Sequence, residues 1–343
     1  MKRDDQFSSR IAASTSLSDR LHLWPTDGGK SDARLWQAEP ERRSSETIQT
    51  VVVPLDGSTP AEHALPPALA IVRRTGASLR LIHAYTEPFA ALEPWQHSSA
   101  YERTQVEHQD YLERIARQIT RREDVDVEIV LVDSPDTIDA LMTGVPDSSL
   151  VVIGSRRRRF ASRLWWQNRV DQLRQRLSVP LLVTKGDSVP VELTAGPEAK
   201  RILLPLDGSV ADRTVLDCAR FAAQTHGGTI TLLNVQNEEW TAGLFPHSSP
   251  REYLSWTIER LKQNGIHAEA YVLTSAEDPR LAIQHYAESH NTDLIAIPTH
   301  ADRGLSRMMR SSVADSLLRH SKIPILLQSI PGRAKRPELT KVT

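Results

Sequence analysis

The sequence predicts two tandem α/β domains, each a doubly wound, five-stranded parallel sheet with helices on both faces. Three observations carry that reading. The pentapeptide Pro-Leu-Asp-Gly-Ser occurs at residues 54–58 and again at 205–209, each time after a short apolar run. The agreement extends far beyond it: residues 78–83 answer 229–234, 149–153 answer 293–297, and 179–183 answer 323–327. Between the runs lie amphipathic stretches, and strands that alternate with helices pair in parallel through right-handed crossovers. Runs apolar at every position, such as 150–153, suit a sheet covered on both faces.

Taken in order, residues 1–47 are rich in Ser, Arg and Asp with little period and read as a mostly disordered tail. Trp24 and Trp36 are the residues in it able to dock on a folded body. The first domain, 48–186, opens with a strand over 49–55. A helix over 61–75 follows, bent or delayed by Pro66-Pro67. The second strand is 78–84. Leu112, Ile115 and Ile119 place a helix over 97–123. The third strand is 125–132. Ser134-Pro135 opens the next helix and Gly144 closes it. Strands at 150–153 and 180–184 flank a helix over 169–177. Pro190, Gly196 and Pro197 mark 187–199 as a linker. The second domain, 200–330, repeats the order. Ser249-Pro250-Arg251-Glu252 is a capping box, Gly265 ends that helix, and Asp278-Pro279 opens the next. Residues 331–343 form a short basic tail.

Bulk properties bound the function. A chain of 343 residues fits two domains, and a net charge of -1 argues against a chain-wide nucleic-acid surface while leaving a local basic patch open. The one cysteine, Cys218, excludes an intrachain disulfide framework and a Cys-rich metal site; with Val215, Ala219 and Ala222 it reads as core. The histidines show no paired metal spacing, so no metal is expected. No secretory h-region and no run of about 18 apolar residues is visible, which points to the cytoplasm and no membrane.

Four features now combine: a first strand ending in Pro-x-Asp-Gly-Ser, a short second strand, a fourth strand running into a loop, and a final x-Pro-apolar strand. Together they resemble the universal stress protein family over residues 48–186 and 200–330. In nucleotide-binding members the loop reads Gly-x2-Gly-x9-Gly-(Ser/Thr), and its amides and the following helix N-terminus cradle phosphates. The resemblance implies an adenine beside the first two strands, with the Asp reaching ribose or base. In the second unit it implies Pro205, Leu206, Asp207 and Val235 around the base. Ile297, Thr299 and His300 lead into the loop, and Ser311, Ser312 and Val313 meet phosphate where a helix is expected to begin. Pro298, Ala301 and Ser311 replace the three glycines there.

The first unit offers a lesser set: Pro54, Leu55, Asp56 and Ala84 at the base, then Gly154, Arg157 and Asn168 along the loop. Arg157, Gln167 and Asn168 occupy three of the four motif columns, so the family's phosphate grip is expected to be lost. Other readings stay open at this point. Asp-Gly-Ser is also good turn chemistry. The arginines at 156–159 suit an anion, an acidic partner or a solvated loop. Trp165-Trp166 suits pocket filling, an interface or core.

Three functions follow. The first is a non-catalytic regulatory protein of tandem type with degenerate nucleotide sites, paired within the chain through its last strands. Homodimerisation and unknown protein partners are open, and nucleic acid is not expected. The second is an ATP or other adenine-nucleotide switch using mainly the second unit. The third is an ATP-using enzyme of related topology. It lacks support, because the loop after the first strand is Asp-Gly-Ser-Thr-Pro or Asp-Gly-Ser-Val-Ala rather than a Ser-Gly-Gly-x-Asp-Ser type loop.

Overall fold

Strand β1 is Leu21–Leu23, and the first unit begins at β2, Thr50–Leu55. Helices α1 (Thr59–Glu62) and α2 (Leu65–Thr75), β3 (Ser78–Tyr85), α3 (Pro94–Thr120), β4 (Val127–Asp133), α4 (Thr137–Gly144), β5 (Ser149–Arg156) and β6 (Leu181–Gly186) follow. The second unit runs β7 (Arg201–Pro205), α5 (Asp212–His226), β8 (Thr229–Gln236), α6 (Pro250–Gln263), β9 (Ala268–Thr274), α7 (Pro279–Ser289), β10 (Leu294–Thr299), α8 (Leu305–His320) and β11 (Ile325–Ser329). The structure, a computed structural model, describes residues 21–23, 48–85, 94–134, 137–156, 172–173, 176–177, 179–186, 189–206, 212–236, 249–299 and 305–329.

All described strands join one sheet in the order β1-β9-β8-β7-β10-β11-β6-β5-β2-β3-β4. Within each unit every neighbour is parallel, and the first strand lies between the second and the fourth. That is the doubly wound pattern, with its switch point between β2 and β5 in one unit and β7 and β10 in the other. The units meet at β6 and β11, which run antiparallel with Leu326 opposite Leu182. Side-chain alternation then makes two continuous cores. Val51, Val53, Leu182, Leu204 and Leu326 face one side, and Val52, Val151, Leu181, Leu203 and Ile325 face the other.

Local chemistry explains most element ends. Pro66 and Pro67 cannot donate to preceding carbonyls, so the expected helix over 61–75 divides into α1 and α2, and the prolines fall in the first turn of α2. Gly76 and Gly265 take φ +72 after α2 and α6. Gly144 does not act this way. It is the last residue of α4, and an added Cβ would lie 2.7 Å from Ile82 Cδ1, so it supplies room rather than handedness. At α6 the Ser249 hydroxyl accepts from Glu252 N at 3.2 Å, and Glu252 Oε2 accepts from Ser249 N at 2.9 Å. Ser249→Ala is expected to lower stability by about 1 kcal/mol, checked by urea denaturation beside the parent.

Within 1–47, read as a mostly disordered tail, Leu21–Leu23 pair antiparallel with Tyr271, Val272 and Leu273 at the outer edge of β9. Three residues are too few to show a period, and an open edge offers backbone partners to any extended segment. The segment read as a linker is also tied down. Gly196 N donates to Pro66 O at 2.8 Å, Ala195 N donates to Glu123 Oε1 at 2.8 Å, and Leu193 is buried. Arg74 reaches across to the second unit, donating to Gln224 O at 3.3 Å, and also pairs with Glu198 of the linker at 3.5 Å. The helix expected over 169–177 lies largely outside the described residues; Leu177 N does donate to Leu173 O at 2.7 Å.

Candidate functional site

The carboxyl ends of β2, β3 and β5 make the mouth of the first unit. Pro54 and Leu55 close β2, and Asp56 stands just beyond, exposed. Its Oδ1 accepts from Ser58 N at 3.0 Å and from the Ser58 hydroxyl at 2.5 Å, while Gly57 turns the chain at φ +78. The Asp-Gly-Ser segment therefore performs the turn role, and the Asp56 carboxylate is engaged in it. Ala84, half-buried, lies on β3 opposite Val132 of β4.

Gly154 sits near the end of β5, beside Thr184 of β6. A Cβ built there would lie 2.1 Å from the carbonyl oxygen of Pro60 and 3.1 Å from that of Ala61. Gly186 at the end of β6 meets the same Pro60 oxygen, with an added Cβ 2.6 Å away. These glycines are thus needed so that the backbone of α1 can press onto the ends of β5 and β6. Arg157, His300 and Asn168 lie outside the described residues, as do Gln167, Trp165-Trp166 and the rest of the arginine tract after Arg156.

Behind Asp56 is a ring cluster that sequence reasoning missed. His83, buried, has Nδ1 2.8 Å from Leu55 O. The carbonyl can only accept, so Nδ1 carries the proton. The His83 ring lies against His108 of α3 with centroids 4.5 Å apart and planes tilted by 31°, and Tyr111 meets it edge-on at 5.9 Å. The Tyr111 hydroxyl donates to Glu62 Oε1 at 3.0 Å. Burial, then the Glu62 carboxylate, hold the Tyr111 phenol protonated well above the usual range. Nothing in the spacing of His83 and His108 signals this pair, because they are on different elements.

The second unit repeats the strand-end bond with a different side chain. Asn234, at the position matching His83, donates from Nδ2 to Leu206 O at 2.8 Å. Pro205 ends β7, Leu206 is buried and bonded through its amide to Leu233 O, and Val235 and Ile297 are buried on β8 and β10. Asp207 lies outside the described residues. Thr299 ends β10 opposite Ser329.

The expectation for Ser311, Ser312 and Val313 needs correction. Helix α8 begins at Leu305, so these three residues lie inside it rather than at its start. Amides in a helix interior already bond to the preceding turn, whereas the first four are free. The free donors of α8 belong to residues 305–308, and Val313 packs half-buried against the core. Among the described residues no group of three or more His, Cys, Asp or Glu is placed to hold a metal. No described helix is long and apolar enough to cross a membrane. Cys218 is buried, and burial raises its thiol well above the reactive range.

The family model described as "Universal stress protein family" matches twice, over residues 47–185 and 198–328. The chain belongs to the universal stress protein family. A universal stress protein from Archaeoglobus fulgidus is similar in structure at 16% identity and a TM-score of 0.60, covering 82% of this chain and 98% of that one. A putative universal stress protein from Pseudomonas aeruginosa covers 82% of this chain and 94% of its own at 16% identity and a TM-score of 0.48. A third, the Archaeoglobus fulgidus universal stress protein in complex with dAMP, is 22% identical over 38% of this chain and 97% of its own, with a TM-score of 0.29. No curated protein matches the chain. Membership in this family accounts for the doubled doubly wound architecture.

Proposed function

We propose that this chain is a non-catalytic regulatory protein of tandem type. Its two family units serve as a built-in pair, and the first unit binds nucleotide weakly or not at all. The observation that carries the reading is the Pro60 carbonyl against Gly154. A phosphate cradle needs converging N–H groups. Here the space beside the first loop glycine is taken by backbone, with the negative end of a carbonyl dipole foremost. Several described polar groups of the mouth are already engaged: Asp56 with Ser58, His83 with Leu55 O, and Tyr111 with Glu62. The antiparallel contact of β6 with β11 supports a pseudo-two-fold pair made within one chain. On this reading the domains are 48–186 and 200–330, joined by 187–199. The protein works in the cytoplasm, through protein partners rather than nucleic acid.

A second reading, an adenine-nucleotide switch in the second unit, is favoured by the start of the 16-residue α8 just after β10. That order suits an anion at a helix N-terminus. Pro205, Leu206, Asp207 and Val235 would border the base, and the first turn of α8 would replace Ser311–Val313 as the amide source. Calorimetric titration of ATP into the full chain, Asp56→Ala and Asp207→Ala separates the readings. No heat from the parent supports the first. Heat that Asp207→Ala removes and Asp56→Ala leaves supports the second. Equal losses from both variants, or two occupied sites per chain, would overturn the degenerate first unit.

A further inference from the structure

We propose that His83 and His108 form an acid-operated latch between β3 and α3 of the first unit. With the His83 ring neutral the contact holds α3 on the sheet; with that ring protonated the contact parts and α3 loosens over the strand ends.

The geometry supplies the latch. His108 lies between two rings of β3, its centroid 4.5 Å from His83 and 5.5 Å from Tyr85, tilted 31° to each. It is thus an anchor of α3 on β3. His83 already spends its Nδ1 proton on Leu55 O, so a second proton must go to Nε2, in a site only 4% exposed. A charge on the buried His83 ring is poorly solvated and faces the His108 ring at 4.5 Å, so protonation of His83 weakens the contact.

The surrounding groups do not cancel it. From the end of β2, Asp56 favours charge on His83, but its carboxylate is exposed and bonded to Ser58. From α1, Glu62 is taken by the Tyr111 hydroxyl. From α3, Arg114 lies over the Tyr111 ring at 5.3 Å and brings positive rather than negative charge to that helix. Burial first, and His108 second, lower the proton affinity of His83 below the ordinary 6.5. The sign follows. The unfolded chain takes the proton near pH 6.5 and the folded chain only at lower pH, so stability is full above that value and is lost as pH falls below it.

The second unit is the internal control. Asn234 makes the same bond to Leu206 O with a side chain that does not titrate. His83→Asn therefore keeps the strand-end bond and removes the switch.

Hydrogen exchange of the full chain at about pH 7.5 and about pH 5.5, corrected for the intrinsic rate, reads α3 against α6. Another buried histidine, His226, also resists protonation, its value lowered to about 4 by burial and then by Arg74, but it lies on α5. A readout confined to α3 keeps the two apart. The parent should lose about ten-fold protection in α3 relative to α6 at the lower pH. His83→Asn and His108→Phe should both keep the α3 protection of the neutral parent at both pH values. If His83→Asn does not fold, His108→Phe alone decides. Equal changes in α3 and α6 of the parent, or a variant as acid-sensitive as the parent, would overturn the latch.

Discussion

Leu182→Asp is expected to cost at least about 4 kcal/mol and to separate the two units. Leu182 is fully buried, paired with Val152 of β5 on one side and with Leu326 of β11 on the other. A carboxylate there has no cationic partner in a core layer made of Val51, Val53, Leu204 and Leu326. The loss strikes both units, because each core layer runs unbroken across their junction. Leu281→Asp, at a site 49% exposed, is the matched control and should change stability by less than about 0.5 kcal/mol. Urea denaturation followed by circular dichroism compares the two. Similar midpoints for both variants would show that the junction is not part of the cooperative core.

Gly154→Ala should have the next largest effect, about 1–3 kcal/mol, by overpacking. The added methyl would meet the Pro60 carbonyl oxygen at 2.1 Å, and that neighbour is backbone rather than a flexible side-chain end. Relief requires α1 to lift from the ends of β5 and β6. Two results are therefore tied together: a lower urea midpoint, and faster exchange at the amides of Ala61 and Glu62, which bond to Ser58 O at 3.0 and 3.3 Å. Gly196→Ala, whose nearest contacts would be at 3.2 Å, should be milder. A Gly154→Ala protein with parental stability and unchanged α1 exchange would mean that α1 does not press on the strand ends.

What was legible in the chain was whatever repeats or has a period. The paired Pro-Leu-Asp-Gly-Ser segments located β2 and β7, and the apolar runs located their neighbours, because each strand is buried on both faces. Caps were legible where one residue decides them, as at Ser249, Asp278 and Gly265. Three kinds of feature were not. Strand β1 depends on a vacant edge supplied by β9, a partner far along the chain. The first turn of α8 was misplaced by about six residues, because motif columns carried over from a family mark loop length only when the glycines that set it are present. The His83–His108 contact was invisible because two unremarkable positions meet only after β3 and α3 have packed. The role of Asp56 was left between turn and ligand contact, and the bonds to Ser58 supply the turn half of that alternative.

The antiparallel junction has a directional consequence. All strands of one unit point the same way, and those of the other point oppositely. Asp56, at the end of β2, and Leu206, just past the end of β7, therefore lie on opposite rims of a single sheet. A partner that grips one rim cannot also touch the other without wrapping around the molecule. Whatever one rim senses must reach the far rim through the strands themselves, with β6 and β11 as the shared hinge line.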